Sequence, residues 1–279
     1  MRYKRSTMSS RLYSRAHSGA GLLLVLLFFS GCASHPWGDL VDEQQHTQLY
    51  GVYKQLVENN RGCSSAYDGE LVATLDTPIQ STSMDGYFQI LYPNYIKYVV
   101  NNPLGQPLFG VAAKGSWFQV LNIPDKTYSL VSHRSYALRN DIPKSFLGGS
   151  WFDWITGRPL AAKVKILEIR SAEEAGGMWF LIGTAEEEPR LLERVLVDVD
   201  QTLLLERVVI DREKNPLASI TYRDWDEATG CKLPMSISIS GLSFGARADL
   251  AFSEVKRAAL GPKDFSLPHP PGFVKKVMP

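Results

Sequence analysis

A serine framed by two glycines is the best candidate for a catalytic nucleophile in this sequence. The segment Gly241-Leu242-Ser243-Phe244-Gly245 fits the G-x-S-x-G pattern of a nucleophile elbow. An elbow of this kind needs a strand before the serine and a helix after it. Here apolar and polar residues alternate with a period of two on both sides, which is typical of strands. We therefore interpret the segment as a hairpin turn and predict no catalytic residue.

Other residues that could support catalysis or metal binding are scattered. Asp198 and Asp200 share one strand face, but acid–base catalysis would need both in a pocket, and such pairs usually face solvent. The sequence has no HExxH motif, no Cys/His cluster with zinc-site spacing and no glycine-rich phosphate-binding motif. We predict that the protein is not an enzyme and that it binds no metal and no cofactor. Four histidines stand in unrelated sequence contexts: His35, His46, His133 and His269.

A cysteine near the N-terminus has a more specific context. Residues 1–21 contain five basic and no acidic residues, and an apolar run follows at 22–29. Eight apolar residues are too few for a membrane-spanning helix, which needs about 20, so residues 1–31 are typical of an export signal. Phe29-Ser30-Gly31-Cys32 resembles the lipobox of bacterial lipoproteins, which implies that Cys32 is diacylated and becomes the first mature residue. The alternative is an ordinary cleaved signal with an incidental cysteine.

Removal of the signal would change the charge of the chain. The 279-residue sequence has a net charge of +1, whereas the 248 residues from Cys32 onward carry 25 basic and 29 acidic side chains, a net charge of −4. Nucleic-acid binding depends on clustered Lys and Arg, so we predict no nucleic-acid partner. Two acyl chains give stable anchoring. Ala33 after the cysteine is similar to the outer-membrane sorting residue of enteric lipoproteins, and the resemblance implies anchoring in the outer membrane, on its periplasmic face.

The remaining cysteines are Cys63 and Cys231. In an oxidising compartment these two thiols have a single intramolecular pairing, so we expect a disulfide between them. Two buried free thiols are the alternative.

The apolar periodicity indicates which elements position these residues. After a lipidated tether at 32–39, helical spacing predicts an amphipathic helix over residues 40–59 with Asp39 as its N-cap. The period then changes to two, and thirteen candidate strands lie between Glu70 and Val255. Short turns separate them, which indicates antiparallel neighbours. We find no internal repeat or linker and predict a single domain over residues 40–279.

The alternation is interrupted once, between Ser135 and Pro159, where large apolar residues stand among glycines. We predict two short apolar helices there. Because flat sheets of more than about ten strands are rare, the sheet must close or curl. With the helix at the start and this insert as lids, the sheet would enclose a hydrophobic cavity.

Three stretches of the sequence then resemble the Lol family of lipoprotein carriers and receptors. Residues 95–105 end in an Asn-Pro-Leu-Gly turn, and Leu233-Pro234 precedes an alternating strand. The insert contributes Ile142-Pro143, Leu147 and Trp154-Ile155-Thr156-Gly157-Arg158-Pro159, with four extra residues between Leu147 and Trp154. The tail, Asp264 to Pro268 with Pro271-Gly272, is more similar to that of the soluble carrier.

The resemblance implies a mainly β (α+β) fold, an incomplete antiparallel β-barrel of about 11 strands with an N-terminal helix and a helical lid insert. It also implies that the barrel binds acyl chains of lipoproteins or lipids, and that Leu104 protrudes to insert a client into the membrane. Leu104 packing back under its turn is the alternative. The expected cavity and lid residues, each of which could instead be ordinary core, are Trp117, Ile142, Phe146, Leu147, Trp151, Trp154 and Ile155.

The sequence thus leads to two hypotheses about function. In the first, an outer-membrane-anchored lipoprotein binds acyl chains in a half-open barrel and takes part in lipoprotein or lipid transfer, with a periplasmic carrier protein as a further partner. In the second, the same fold is a non-catalytic envelope binding, sensing or structural module whose concavity is filled by its own side chains.

Overall fold

The structure, a computed structural model, describes residues 37–63, 65–139, 151–159, 164–172, 177–184, 192–211, 213–227, 229–242 and 245–278. These ranges contain the helices α1 (Glu43–Arg61), α2 (His133–Arg139) and α3 (Trp151–Ile155), and a 3₁₀ turn at Pro262–Asp264. The strands are β1 (Ala66–Asp76), β2 (Ser81–Leu91), β3 (Tyr95–Asn101), β4 (Pro107–Lys114), β5 (Trp117–Asn122), β6 (Thr127–Ser132), β7 (Val164–Ser171), β8 (Met178–Thr184), β9 (Leu192–Asp198), β10 (Leu203–Ile210), β11 (Pro216–Asp226), β12 (Leu233–Ser240), β13 (Arg247–Arg257) and β14 (Val274–Met278).

The described strands form one open sheet in the order β14-β6-β5-β4-β3-β2-β1-β13-β12-β11-β10-β9-β8-β7. The thirteen strands from β1 to β13 pair antiparallel, which confirms the predicted meander. The sheet ends in edges at β7 and β14, which confirms the incomplete barrel, although it has more than eleven strands. β14 pairs parallel with β6 and is largely exposed along its length, so its sequence lacks the alternation that identifies the other strands.

Helices α1 and α3 pack on the same side of this sheet, termed here the inner face. Leu49, Tyr53 and Leu56 of α1 join a buried cluster that extends over β7 to β12. Trp154 of α3 belongs to that cluster, while Phe152 belongs to a second cluster on β1, β2 and the start of β12. Each side chain buried in this way contributes about 1.5–3 kcal/mol through removal of apolar surface from water.

The helix α1 begins later than the sequence predicts. Asp42, not Asp39, is its N-cap, and the Asp42 carboxylate accepts a hydrogen bond from the Gln45 backbone N–H at 2.8 Å. The preceding residues are recruited by the edge strand β7, because Val41 donates to the carbonyl of Ile169 and Leu40 forms a β-bridge with Arg170. This pairing covers part of an edge that would otherwise expose its backbone groups.

A disulfide holds the other end of α1. Cys63, two residues beyond the helix, is bonded to Cys231, which lies two residues before the start of β12, and their Cα atoms are 5.8 Å apart. The two cysteines are 168 residues apart in sequence. The bond therefore connects the covering helix to a strand near the middle of the sheet.

The inner face also contains a charged pair that has no access to water. Glu193 on β9 and Arg207 on β10 are both 0% exposed, with 3.4 Å between a carboxylate oxygen and Nε of the guanidinium. Burial raises the pKa of the Glu193 carboxyl, and the nearby Arg207 charge opposes this. Burial also raises the pKa of the Tyr53 and Tyr222 hydroxyls, and both hydroxyls lie near enough to feel the charges of Glu193 and Arg207. Each charge is tolerated here because the other is present.

We expect loss of the disulfide to destabilise the protein strongly. The Cys63→Ser/Cys231→Ser variant should lose roughly 3–5 kcal/mol, since a long loop in the unfolded chain is no longer closed. Urea unfolding of the variant, and of the wild type under reducing conditions, measures this. Identical midpoints for oxidised wild type and variant would contradict the expectation.

We expect Arg207→Met to cost about 3–5 kcal/mol because it leaves the Glu193 carboxylate buried without its partner. Adding Glu193→Leu should recover most of this loss. The deficit of the single variant should also shrink as the pH falls through the raised pKa of Glu193, since protonation removes the buried charge. A double variant as unstable as Arg207→Met would show that the pair is not the cause.

Candidate functional site

The five-residue helix α3 fills the middle of the inner face. Phe152 is 0% exposed and stacks on the Tyr67 ring, with centroids 6.0 Å apart, and it meets the edge of Tyr92 at 5.7 Å. Trp154 is 3% exposed and packs in the cluster that α1 covers. Ile155 contacts both clusters. A short segment of the chain thus supplies the apolar surface that joins the two halves of the interior.

The β2–β3 turn holds the start of α3. The backbone N–H of Phe152 donates to the carbonyl of Pro93 at 3.2 Å, and that of Trp151 donates to the Asn94 side chain at 3.0 Å. The Thr156 hydroxyl donates back to the carbonyl of Phe152 at 2.7 Å. These bonds fix the position of a helix that is too short to be stable by itself.

Two guanidinium groups hold the end of α3. Arg158 donates to the Tyr67 hydroxyl at 3.2 Å, and its guanidinium carbon lies 4.6 Å from the centre of the Phe152 ring. The carbonyl of Arg158 in turn accepts a hydrogen bond from Nη2 of Arg207. Burial lowers the pKa of the Arg158 guanidinium. The end of α3 is therefore bonded to the same buried charge pair that lies in the sheet.

Residue 157, between α3 and Arg158, has to be a glycine. Its φ is +63°, a region that side-chain-bearing residues rarely adopt, and a Cβ there would lie 2.5 Å from the ring of Trp225. The glycine allows α3 to end directly against β11.

A small cavity lies beside α3, with a volume of about 20 Å³. This is enough for about one water molecule, whereas pockets for organic ligands measure several hundred Å³. An acyl chain therefore has no room at this position while α3 is in place. The cavity is lined by apolar residues of β1, β2, β12 and β13 and by the end of α3: Tyr67, Phe88, Ile155, Thr156, Leu233, Pro234, Phe252 and Val255.

Some of the predicted lid residues come together. Trp151 and Trp154 lie with their ring centroids 5.7 Å apart, and Ile155 follows in the same helix. Ile142, Phe146 and Leu147 lie outside the described residues, as do Cys32 and Ser243.

Trp117, also predicted as a cavity residue, lies on the opposite face of the sheet from α3. Trp117 has the same strand parity as Gln119, whose side-chain oxygen accepts the Leu267 N–H on the outer face, and it is 37% exposed. Its neighbour Phe118 points inward, with ring centroids 4.2 Å from His133 and 6.4 Å from Trp151. Alternation identifies two faces, but both faces of β5 carry apolar residues here, since the segment before β14 covers the outer one. Alternation alone therefore does not indicate that Phe118, and not Trp117, is the residue on the inner face.

Leu104 stands at the tip of the β3–β4 hairpin and is 83% exposed. Asn102 orders this turn, because its side-chain oxygen accepts hydrogen bonds from the N–H groups of Leu104 and Gln106, each at 2.9 Å. Gly105 follows with a φ of +77°. The leucine side chain does not pack under its turn and is presented to solvent by a hydrogen-bonded loop.

Among the described residues, the other candidates do not assemble into a reactive centre. Gly241 and Gly245 flank a connection between the antiparallel strands β12 and β13, which confirms the hairpin interpretation. Asp198 accepts the Gln201 N–H in a surface turn. Among the described residues, no group of three or more His, Cys, Asp or Glu is arranged to hold a metal ion. No helix in the same ranges has the length and hydropathy to cross a membrane.

Comparison with known proteins identifies the fold. No protein-family model matches the chain, and no curated protein does. A DUF1329 family protein from Desulfovibrio piger superposes with a TM-score of 0.53 and 10% identity, covering 79% of this chain and 96% of that one. A LolA superfamily protein from Nitrosomonas europaea gives a TM-score of 0.51 and 13% identity, covering 77% and 97%.

A third solved structure is described as an outer membrane lipoprotein-sorting protein domain from Vibrio parahaemolyticus. It gives a TM-score of 0.53 and 10% identity, and covers 77% of this chain and 95% of that one. These likenesses confirm the fold implied by the resemblance of the sequence to the Lol family. The chain has the LolA-like fold, at a sequence identity of only 10–13% to these structures.

Proposed function

We propose that the protein is a non-enzymatic envelope lipoprotein that binds acyl chains on its inner face, with α3 as a lid. The observation that carries this proposal is the position of α3. Phe152 and Trp154 occupy the middle of the inner face, next to a cavity of only about 20 Å³. The present arrangement is then the closed one, and an acyl chain binds by taking the place of these side chains.

The energetics of this exchange favour reversible binding. An acyl chain leaving water gains about 25 cal/mol per Å² of buried apolar surface, but expulsion of α3 exposes a similar kind of surface. The two terms largely cancel, which suits a protein that has to release its ligand as well as bind it. The guanidinium contact to the Arg158 carbonyl adds a polar cost to opening and thereby favours the closed state.

The proposal extends to location and anchoring. The lipobox-like segment before Cys32 supports acylation of that cysteine and anchoring at the periplasmic side of the outer membrane. The likeness to a lipoprotein-sorting domain supports a client that is a lipoprotein or lipid, delivered with a periplasmic carrier as partner and inserted at Leu104.

The second hypothesis, a binding or sensing module with a filled interior, is favoured by the same small cavity. In that case α3 is permanent core and the partner is a protein on the surface. The two functions differ in whether α3 can be displaced by an acyl chain.

We expect Phe152→Ala to bind a fluorescent fatty acid about tenfold more tightly than the wild type, because no ring has to be expelled from the inner face. Phe265→Ala is the matched control, since Phe265 is also 0% exposed but packs on Tyr95 away from α3. Both variants should lose about 3–5 kcal/mol of stability. Equal affinities for the two variants, with no lipid co-purifying with the wild type in native mass spectrometry, would favour the filled module.

We expect Leu104→Glu to leave the thermal unfolding midpoint nearly unchanged, since a fully exposed side chain contributes within about 0.5 kcal/mol. Transfer of a lipoprotein to vesicles should fall, because a carboxylate at the tip opposes contact with lipid. Ser116→Glu, in the β4–β5 turn at the opposite end of the strands, is the control. A large loss of stability, or equal transfer by both variants, would contradict a role of Leu104 in delivery.

A further inference from the structure

The tip of the β1–β2 hairpin carries the most exposed large apolar side chain of the described residues, Ile79, at 95%. The turn around it is closed by three hydrogen bonds between Thr77 and Gln80. The Thr77 N–H and hydroxyl donate to the Gln80 carbonyl at 2.9 and 2.8 Å, and the Gln80 N–H donates to the Thr77 hydroxyl at 3.1 Å. Ile79 can therefore not turn back onto the sheet without breaking them.

This tip lies at the same rim of the sheet as Leu104. The pair Asp76 and Ser81 closes the β1–β2 hairpin, and the pair Asn101 and Pro107 closes the β3–β4 hairpin. Because β2 pairs antiparallel with β3, both turns project from one end of the strands. Two strand spacings separate the hairpins, which places their axes about 10 Å apart.

The chemistry of the two tips is unusual for this chain. Charged residues make up 21% of the sequence, yet none occurs in residues 77–84 or in residues 98–113. A segment without charges can enter the headgroup region of a bilayer without the cost of removing a charge from water. Protein interfaces, in contrast, are typically anchored by Trp, Tyr and Arg, and neither tip has one beside its exposed aliphatic side chain.

We propose that Ile79 and Leu104 together form a membrane-contact rim, in which both side chains insert shallowly into the surface of a lipid bilayer. Ile79 is a second insertion point that restricts the orientation of the hairpin rim toward the membrane, since a single point would allow rotation in every direction. The inference rests on the proposed function only in placing the chain next to a bilayer. It does not depend on whether α3 opens.

The test uses the full, acylated chain in vesicles of phosphatidylethanolamine and phosphatidylglycerol. With Cys63 and Cys231 bonded and Cys32 acylated, an introduced cysteine is the only free thiol for a fluorophore. Ile79→Cys, Leu104→Cys and the opposite-end control Ser116→Cys receive the same label. We expect lipids brominated on their acyl chains to quench most of the emission from positions 79 and 104 and little of that from position 116.

Quenching at position 104 alone, at neither tip, or equally at all three positions would overturn the proposal. A protein-docking tip would give the second of these results. Acyl-chain binding is measured separately on the same labelled proteins by fatty-acid titration, so failure of the rim and failure of the lid are distinguished.

Discussion

The inner face of an open, curled sheet is apolar, and it has to be covered by something that excludes water. In this protein two helices do so in different ways. The nineteen-residue α1 covers β7 to β12 and is attached by a capped start, strand-like pairing and a disulfide. The five-residue α3 covers the centre and is held by a few hydrogen bonds and its own apolar side chains. The cover is therefore attached covalently at one side, whereas at the centre it is held by non-covalent contacts alone.

The buried charges are placed where these two kinds of cover meet. Arg207 neutralises Glu193 within the sheet and also bonds to the backbone just after α3. Arg158 lies over the Phe152 ring and bonds to Tyr67 of β1. An apolar interface alone would hold α3 in many similar positions, whereas these directional contacts select one. The polar groups thus define where α3 lies, and the apolar groups supply most of the free energy for covering the sheet.

The fold could be predicted from the sequence wherever one face of an element is buried. The thirteen-strand meander and α1 were visible in periods of two and about 3.6, because burial on one side imposes those periods. β14 could not be found this way, since Val274 and its neighbours are exposed on both sides. The start of α1 was displaced because Leu40 pairs with β7, an interaction between residues far apart in sequence.

The site was harder to predict for the same physical reason. Trp151, Trp154 and Ile155 could be predicted as lid residues because they are large apolar residues in the insert. Trp117 and Phe118 are both apolar neighbours, so choosing between them required knowledge of which segment covers the outer face of β5. The roles of Arg158 and Arg207 depend on contacts across the fold, and nothing local to either residue indicates them.

The pairing of β1 with β13 has a consequence for how the chain folds. Two local meanders, β1 to β6 and β7 to β13, meet at the centre of the sheet, where Tyr67 pairs with Arg257. Contacts that join such distant residues form slowly, since a long loop must close first. During synthesis the edge of β1 therefore stays unpaired until nearly the whole chain has emerged. The unpaired edge of β1, which becomes the centre of the finished sheet, is therefore the part of the nascent chain that most needs protection from wrong pairing.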